Sequence, residues 1–180
     1  MTVPLNGTFC EENTIASMKE PTELLKEEHQ AVLEKLDALE GVIDNLDQRE
    51  KISGKLKELT SFFDTDFWVH FDKEEKALFP EFDGFMPRGS GPLAVMIEEH
   101  EVLRKTNAVM QEAVTRYLSH ADDAETRRTI AEKGTHFIDF LRNHIFKEEN
   151  ILFRMAAMHL KQTQNEKVVK LFSEMDRNRS

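Results

Sequence analysis

The sequence predicts an all-α fold, an up-down-up-down four-helix bundle with a short C-terminal helix and a mobile N-terminal arm. Three observations predict it. Apolar residues recur at helical spacing along most of the 180 residues, and no stretch has the alternation of a strand. One glycine- and proline-rich loop, "DGFMPRGSGP" (83–92), divides the pattern into halves. Each half contains the motif H-x-x-K-E-E-x-x-L-F, at residues 70–79 and 144–153.

The first half contains two predicted helices. Residues 1–20 show no period and are predicted to form a mobile arm. A stripe of apolar residues predicts the first helix at about 22–46, with Leu25, Val32, Leu33, Leu36, Leu39 and Ile43 facing the core. The tetrapeptide "DQRE" (Asp47 to Glu50) resembles a capping box and predicts a second helix that continues to about residue 82.

The second half repeats this hairpin and adds a tail. Pro92 suits the first turn of a third helix, which runs to about residue 120. Asp122 or Asp123 is expected to cap a fourth helix that reaches about residue 162. Another capping-box pattern, "TQNE", opens a short amphipathic helix. The predicted units are the arm, the bundle, and the C-terminal helix with its tail, at residues 1–20, 21–162 and 163–180.

Composition excludes several classes of function. The chain has 24 Lys and Arg against 34 Asp and Glu, a net charge of −10, which argues against binding to nucleic acid or anionic membranes. It has no run of about 20 apolar residues and no signal-peptide pattern. Cys10 is the single cysteine, which excludes an internal disulfide and a thiolate metal cage. A cytoplasmic protein is therefore expected.

The repeat places ionisable side chains on faces that are otherwise apolar. The histidine and glutamate of each motif stand four residues apart and so share one helix face. An E-E-H triplet on the preceding helix of each half adds a further histidine. Buried carboxylates without a counter-charge cost several kcal/mol, and the converging groups are histidines, so we expect a bound cation. The candidate ligands are His29, His70, Glu74, His100, His144 and Glu148.

The two-fold repeat favours two cations over one. Each ion would bind two histidines, and Glu74 and Glu148 would bridge the pair. An added oxo or hydroxo bridge gives about five ligands per ion and leaves room for a small molecule. Zinc usually takes four ligands in a closed structural site, so two non-haem iron ions are favoured, with zinc or manganese as substitutes. A single octahedral ion and a ferritin-like site are the alternatives, but ferritin-like sites use Glu-x-x-His, with glutamate first.

The order H…HxxxE…H…HxxxE on four helices resembles the hemerythrin-like, or HHE cation-binding, family over about residues 22–160. The resemblance implies that the six candidate residues are di-iron ligands. The family includes oxygen carriers, sensors of oxygen, nitric oxide or iron, and di-iron proteins that repair iron–sulfur centres. Oxygen carriers have a second histidine where this chain has Arg104, and an aspartate five residues after the last histidine, where Glu148 stands at four. The four-histidine pattern is closer to the repair proteins, although their cysteine-bearing N-terminal module has no counterpart in this sequence.

Polar residues outside the ligand set form a second group of candidates. They are predicted to support the ligands or to line a polar path from solvent to the metals: Asp66, Arg104, Asn107, Gln111 and His136. The alternative is a buried Arg104–Asp66 ion pair that only fixes the register of the helices. Glu75 and Glu149 are expected to be solvated. Trp68 and Phe71 are expected to face outward and could form a dimer contact.

The predicted function is that of a non-haem di-iron protein. It would bind or react with a small ligand (oxygen, nitric oxide or peroxide) or handle iron itself, in stress response or iron-centre repair. The alternative is a regulatory or interaction module that the metal stabilises without redox turnover. The sequence leaves open whether the protein is an enzyme and whether it is a monomer or a homodimer.

Overall fold

The computed structural model describes residues 19–119 and 123–178, and the ordered elements in these ranges are helices and turns. The predicted arm, apart from residues 19 and 20, and the alternative cap Asp122 lie outside the described residues. Seven α-helices follow one another: α1 (Pro21–Ile43), α2 (Arg49–Asp64), α3 (Asp66–Lys73), α4 (Gly91–Leu118), α5 (Ala124–Lys147), α6 (Phe153–His159) and α7 (Gln162–Arg177).

These helices build four antiparallel rods. The first and third rods are α1 and α4, the second combines α2 with α3, and the fourth combines α5 with α6. The third rod packs along the fourth, while α1 packs against both α2 and α5. This confirms the predicted up-down-up-down bundle. The last helix, α7, lies against α1 and α3, and none of the described helices is long and apolar enough to cross a membrane.

The second and fourth rods are interrupted, and the prediction that each is one continuous helix is wrong. Thr65, with φ −128° and ψ −70°, separates α2 from α3. Glu74–Leu78 and Glu148–Leu152 form π-helical turns. Both π turns begin at the glutamate of the repeated motif, and such turns are common at functional sites. The two halves of the chain therefore repeat a backbone irregularity as well as a sequence.

The helix caps agree with the sequence in one of three cases. The Asp123 carboxylate accepts a hydrogen bond from a backbone N–H in the first turn of α5, at 2.7 Å, as predicted. The two capping boxes are placed wrongly. Helix α2 begins after Gln48 rather than Asp47. Helix α7 begins after Lys161, whose N–H donates to Gln164 Oε1 at 3.1 Å.

The core consists of two apolar clusters, one on each side of the repeated motifs. On every rod the ligand candidates lie where a stretch that belongs to one cluster meets a stretch that belongs to the other. The cluster nearer the 83–92 loop includes Leu25, Leu93 and Leu152. The cluster at the other end is the larger of the two, and Glu40 and Lys133 are exposed there.

Candidate metal centre

Four histidines point their Nε2 atoms into one layer of the bundle. His29 comes from α1, His70 from α3, His100 from α4 and His144 from α5, and none of the four is more than 5% exposed. They form two pairs. The Nε2 atoms of His29 and His70 are 3.0 Å apart, and those of His100 and His144 are 3.1 Å apart. The pairs match the two halves of the sequence.

Glu74 lies between the two pairs and is fully buried. Its Oε1 is 3.3 Å from His70 Nε2, and its Oε2 is 3.4 Å from His100 Nε2. One carboxylate oxygen is thus directed to each histidine pair. The glutamate of the first motif can therefore serve both pairs at once.

Glu148 repeats this arrangement from the opposite side. Its Oε2 is 3.3 Å from His29 Nε2, and its Oε1 is 3.4 Å from His144 Nε2. The result is two groups of potential ligands that share both glutamates, each group with its ligand atoms within 4.8 Å of one another. We name them half-site A, which contains His29 and His70, and half-site B, which contains His100 and His144.

The donor set fits a pair of cations. All four carboxylate oxygens of Glu74 and Glu148 are buried and lack a hydrogen-bond partner among the described residues. A buried carboxylate without compensation costs several kcal/mol, so such oxygens need a positive charge nearby. Two imidazole nitrogens and two carboxylate oxygens per half-site suit iron, zinc or manganese.

Each histidine also donates its Nδ1–H to a second carboxylate. This bond fixes the ring orientation and the tautomer, so that Nε2 remains available for a metal. Glu75 and Glu149 were expected to be solvated, and that expectation is wrong because they take part in these bonds. The four pairs are His29 with Glu149 at 2.9 Å, His70 with Glu28 at 2.8 Å, His100 with Glu75 at 2.6 Å and His144 with Glu99 at 3.0 Å.

Sequence reasoning did not single out Glu28 or Glu99. The available signal was the E-E-H triplet, because the residue before each matched histidine is a glutamate in both halves. That glutamate contacts the histidine of the neighbouring rod rather than the one beside it in sequence. The glutamate that precedes the histidine in both E-E-H triplets therefore marks a contact between helices.

The two glutamates and the histidines shift one another's titration. Burial alone would lower the pKa of His70, but the Glu74 charge and the hydrogen bond to Glu28 raise it to about 10. In the same way, the nearby carboxylate of Glu74 and the hydrogen bond to Glu75 outweigh burial and raise the pKa of His100 to about 9. Burial would raise the pKa of Glu74, yet the two histidines hold it well below the usual value of 4.5. A cation must therefore displace protons from this site.

Aromatic rings close the site on two sides. Phe71 stacks on His100 with ring centroids 3.7 Å apart, and Phe153 stacks on His29 at 5.5 Å. The expectation that Phe71 faces outward is wrong, because its side chain is fully buried. Trp68 is half-buried, with its ring 5.9 Å from the Arg104 guanidinium. The stacked rings limit the access of water to the ligand histidines.

The structure does not join the predicted polar residues into one path. Arg104 forms ion pairs with Glu75 and Glu101, both at 2.8 Å, on the outer side of the bundle. His136 is exposed on α5. Asp66 begins α3 and lines a cavity of about 210 Å³ that also contacts His70.

The two predicted amides have a structural role instead. Asn107 donates to the carbonyl of Phe63 at 3.0 Å, and Gln111 donates to the carbonyl of Thr60 at 2.7 Å. Both bonds tie α4 to α2. These side chains thus connect two rods and satisfy backbone carbonyls.

Comparison with known proteins gives a family and several relatives. The hemerythrin HHE cation binding domain matches residues 20–156. The iron-sulfur cluster repair protein YtfE of Musicola paradisiaca (strain Ech703) is 34% identical over 104 residues, which are 57% of this chain and 46% of that protein. YtfE of Enterobacter sp. (strain 638) is 31% identical over 104 residues, 57% of this chain and 47% of that protein. The chain spans about half the length of the curated relatives it matches.

Proposed function

The chain belongs to the hemerythrin HHE cation binding domain family, and we propose that its buried site holds two non-haem iron ions. One observation carries this proposal: each buried glutamate directs one oxygen to each histidine pair, and none of these four oxygens has a hydrogen-bond partner among the described residues. We assign one ion to half-site A and one to half-site B, with Glu74 and Glu148 shared between them.

We further propose that the protein handles iron in the repair of damaged iron–sulfur centres. The two relatives compared above are iron-sulfur cluster repair proteins, and their function supports the proposal. Two irons would supply one-electron redox chemistry and a position for a small ligand such as oxygen, nitric oxide or peroxide. The protein's own contribution is to hold the histidines in one tautomer through the outer carboxylates and to exclude water with Phe71 and Phe153. The cytoplasmic location and the boundaries of the arm and tail stay predictions.

The site assignment is tested by stoichiometry. Protein loaded with ferrous iron under nitrogen should hold about two ions per chain, because the repeat supplies two half-sites. Glu148→Ala should loosen both ions, since the carboxylate faces both pairs. Glu98→Ala, a change at an exposed glutamate on α4, is the matched control and should retain both. One tightly held ion per chain, or two ions indifferent to Glu148→Ala, would contradict the assignment.

The repair function needs a separate experiment. An iron–sulfur dehydratase inactivated by peroxide or nitric oxide is incubated with the iron-loaded protein, and recovery of its activity is followed. Recovery should be faster than with the same concentration of free ferrous iron. Loaded Glu98→Ala protein should act like the wild type, and metal-free protein should not act. Recovery equal to that with free iron would reject the repair function and leave the metal site intact.

A further inference from the structure

The two half-sites contain the same chain of charged groups. The repeat relates Lys73 to Lys147, and each lysine forms an ion pair with the outer glutamate of its half. That glutamate in turn accepts the Nδ1–H of a ligand histidine. In half-site A the chain is Lys73–Glu28–His70. In half-site B the corresponding chain runs through Lys147 and ends at His144.

The two lysines differ in what covers them. The Lys73 side chain is 6% exposed and the Lys147 side chain is 33% exposed. Lys73 is covered by α7, where its Nζ lies 2.8 Å from Asp176 Oδ1 and 5.7 Å from the centre of the Phe172 ring. Helix α7 lies beyond the residues that match the family. The C-terminal helix is thus connected to a ligand of half-site A through one buried ammonium group.

A cavity opens beside this connection. It has a volume of about 210 Å³, and its lining includes Glu28, His70, Lys73 and Asp176. A ligand histidine of half-site A therefore borders a space that adjoins α7. The cavity of about 300 Å³ beside Lys147 contacts none of the six ligand candidates; it is lined by Pro92, Val95, Met96, Lys147, Ile151 and Leu152.

We propose that Lys73 is a positioning residue through which α7 controls cation exchange at half-site A, and that this cation enters and leaves through the 210 Å³ cavity. This proposal rests on the two-ion site proposed above, and the ion that exchanges is the one in half-site A. Lys73 holds Glu28, and Glu28 fixes the His70 ring. When Asp176 no longer holds Lys73, Glu28 is free to turn into the cavity, and His70 loses the bond that orients it. Half-site B lacks this dependence because water already reaches Lys147.

The test measures the release of iron to a ferrous chelator. Protein loaded with two irons is mixed with excess chelator, and release is expected in a fast phase from half-site A and a slow phase from half-site B. Loss of a group that orients a ligand typically weakens metal binding about 10- to 100-fold. Lys73→Met should therefore accelerate the fast phase about tenfold or more. The slow phase should change much less.

Three variants separate this role from general packing. Asp176→Asn removes the partner of Lys73 on α7. Because Asp176 is half-exposed, this change should disturb the fold little, and it tests the inference even if Lys73→Met lowers the melting temperature. Lys73→Arg retains a cation between Glu28 and Asp176, so the fast phase should keep its wild-type rate. Lys167→Met breaks a second ion pair of α7, with Glu81, and should leave both phases unchanged.

The repeat supplies the last control. Lys147→Met removes the equivalent lysine of half-site B and should have a smaller effect than Lys73→Met, because Lys147 is partly in water. Equal effects of the two changes, acceleration by Lys167→Met, or no effect of Lys73→Met and Asp176→Asn would overturn the inference. Wild-type protein that binds fewer than two ions would overturn the proposed function first. Two bound ions with equal effects of the lysine variants would overturn only the control by α7.

Discussion

Adjacent glutamates in this protein have different roles, and the sequence predicts only one of them. Glu74 is found from its four-residue spacing to His70, because a helix wheel shows which residues share a face. Glu75 lies about 100° further round and looks solvated on the same wheel. It instead accepts a hydrogen bond from His100 on another rod. An imidazole ring spans the distance from a cation to the crevice between two helices, so its outer partner depends on packing that a single wheel cannot represent.

The first prediction compares two adjacent glutamates, Glu98 and Glu99, in their effect on cation binding. Glu99→Leu should weaken binding of the more tightly held ion about 10- to 100-fold, because His144 loses the acceptor that orients it. Glu99→Gln keeps an acceptor oxygen and should lose less. Glu98→Leu, one residue earlier and exposed, should have no effect. Competition titration with a chelator measures all three, and equal losses for Glu98→Leu and Glu99→Leu would refute the role of the outer carboxylate.

At the scale of elements, the bundle was predictable and the π turns were not. The helical period of apolar residues extends over more than 20 residues in a helix such as α1. A local irregularity therefore does not obscure the prediction of the rods. The π turns contain neither proline nor glycine, the usual signals of a helix irregularity. Both begin at the ligand glutamate, which indicates that the widened turn belongs to the geometry of the site. A wheel built for an ideal α-helix has no means to represent it.

Helix packing gives the second prediction, a comparison of two glycines. Gly54 in α2 has no atom within 4 Å of an added Cβ, so Gly54→Ala should stabilise the protein by about 0.5–1 kcal/mol. An added Cβ at Gly134 would clash with Ile43 Cδ1. Ile43 would have to change its rotamer within the α1–α5 contact, at a cost of about 1–3 kcal/mol. Gly134→Ala gains the same helix propensity but must displace Ile43, so it should leave the protein less stable than Gly54→Ala does. Denaturant unfolding measures both, and equal stabilisation would contradict the close contact.

For the whole molecule, convergence of the six ligand candidates follows from the topology, since antiparallel rods bring the repeated motifs to one depth. The predicted polar path does not form, because Asn107 and Gln111 donate hydrogen bonds to backbone carbonyls of α2 instead. The sequence gives no sign of these two bonds. Helix α2 ends before Thr65, so carbonyls in its last turn lack the usual donors four residues later. Asn107 supplies one of these donors to Phe63. The break in α2 thus leaves a backbone carbonyl that a side chain of α4 satisfies.

The last prediction concerns the dependence of stability on metal and pH. In metal-free protein the pKa of His70 is raised from 6.5 to about 10 and that of His100 to about 9. The protons on these histidines therefore stabilise the fold fully below pH 6.5, and this stabilisation is lost as the pH rises towards 9 and above. A bound cation replaces the protons and binds neutral imidazole, so loaded protein should not show this loss.

The expected result is a gap in melting temperature between loaded and metal-free protein that widens as the pH rises. Melting curves recorded by circular dichroism from pH 6 to about 9 measure it. His136→Leu, at an exposed histidine, should keep the slope of the metal-free protein, whereas His70→Leu should reduce it. Parallel curves with and without metal would mean that protons and cations do not compete for one buried site. Because the site joins all four rods, such a result would also remove the reason for the histidines and glutamates to be buried together.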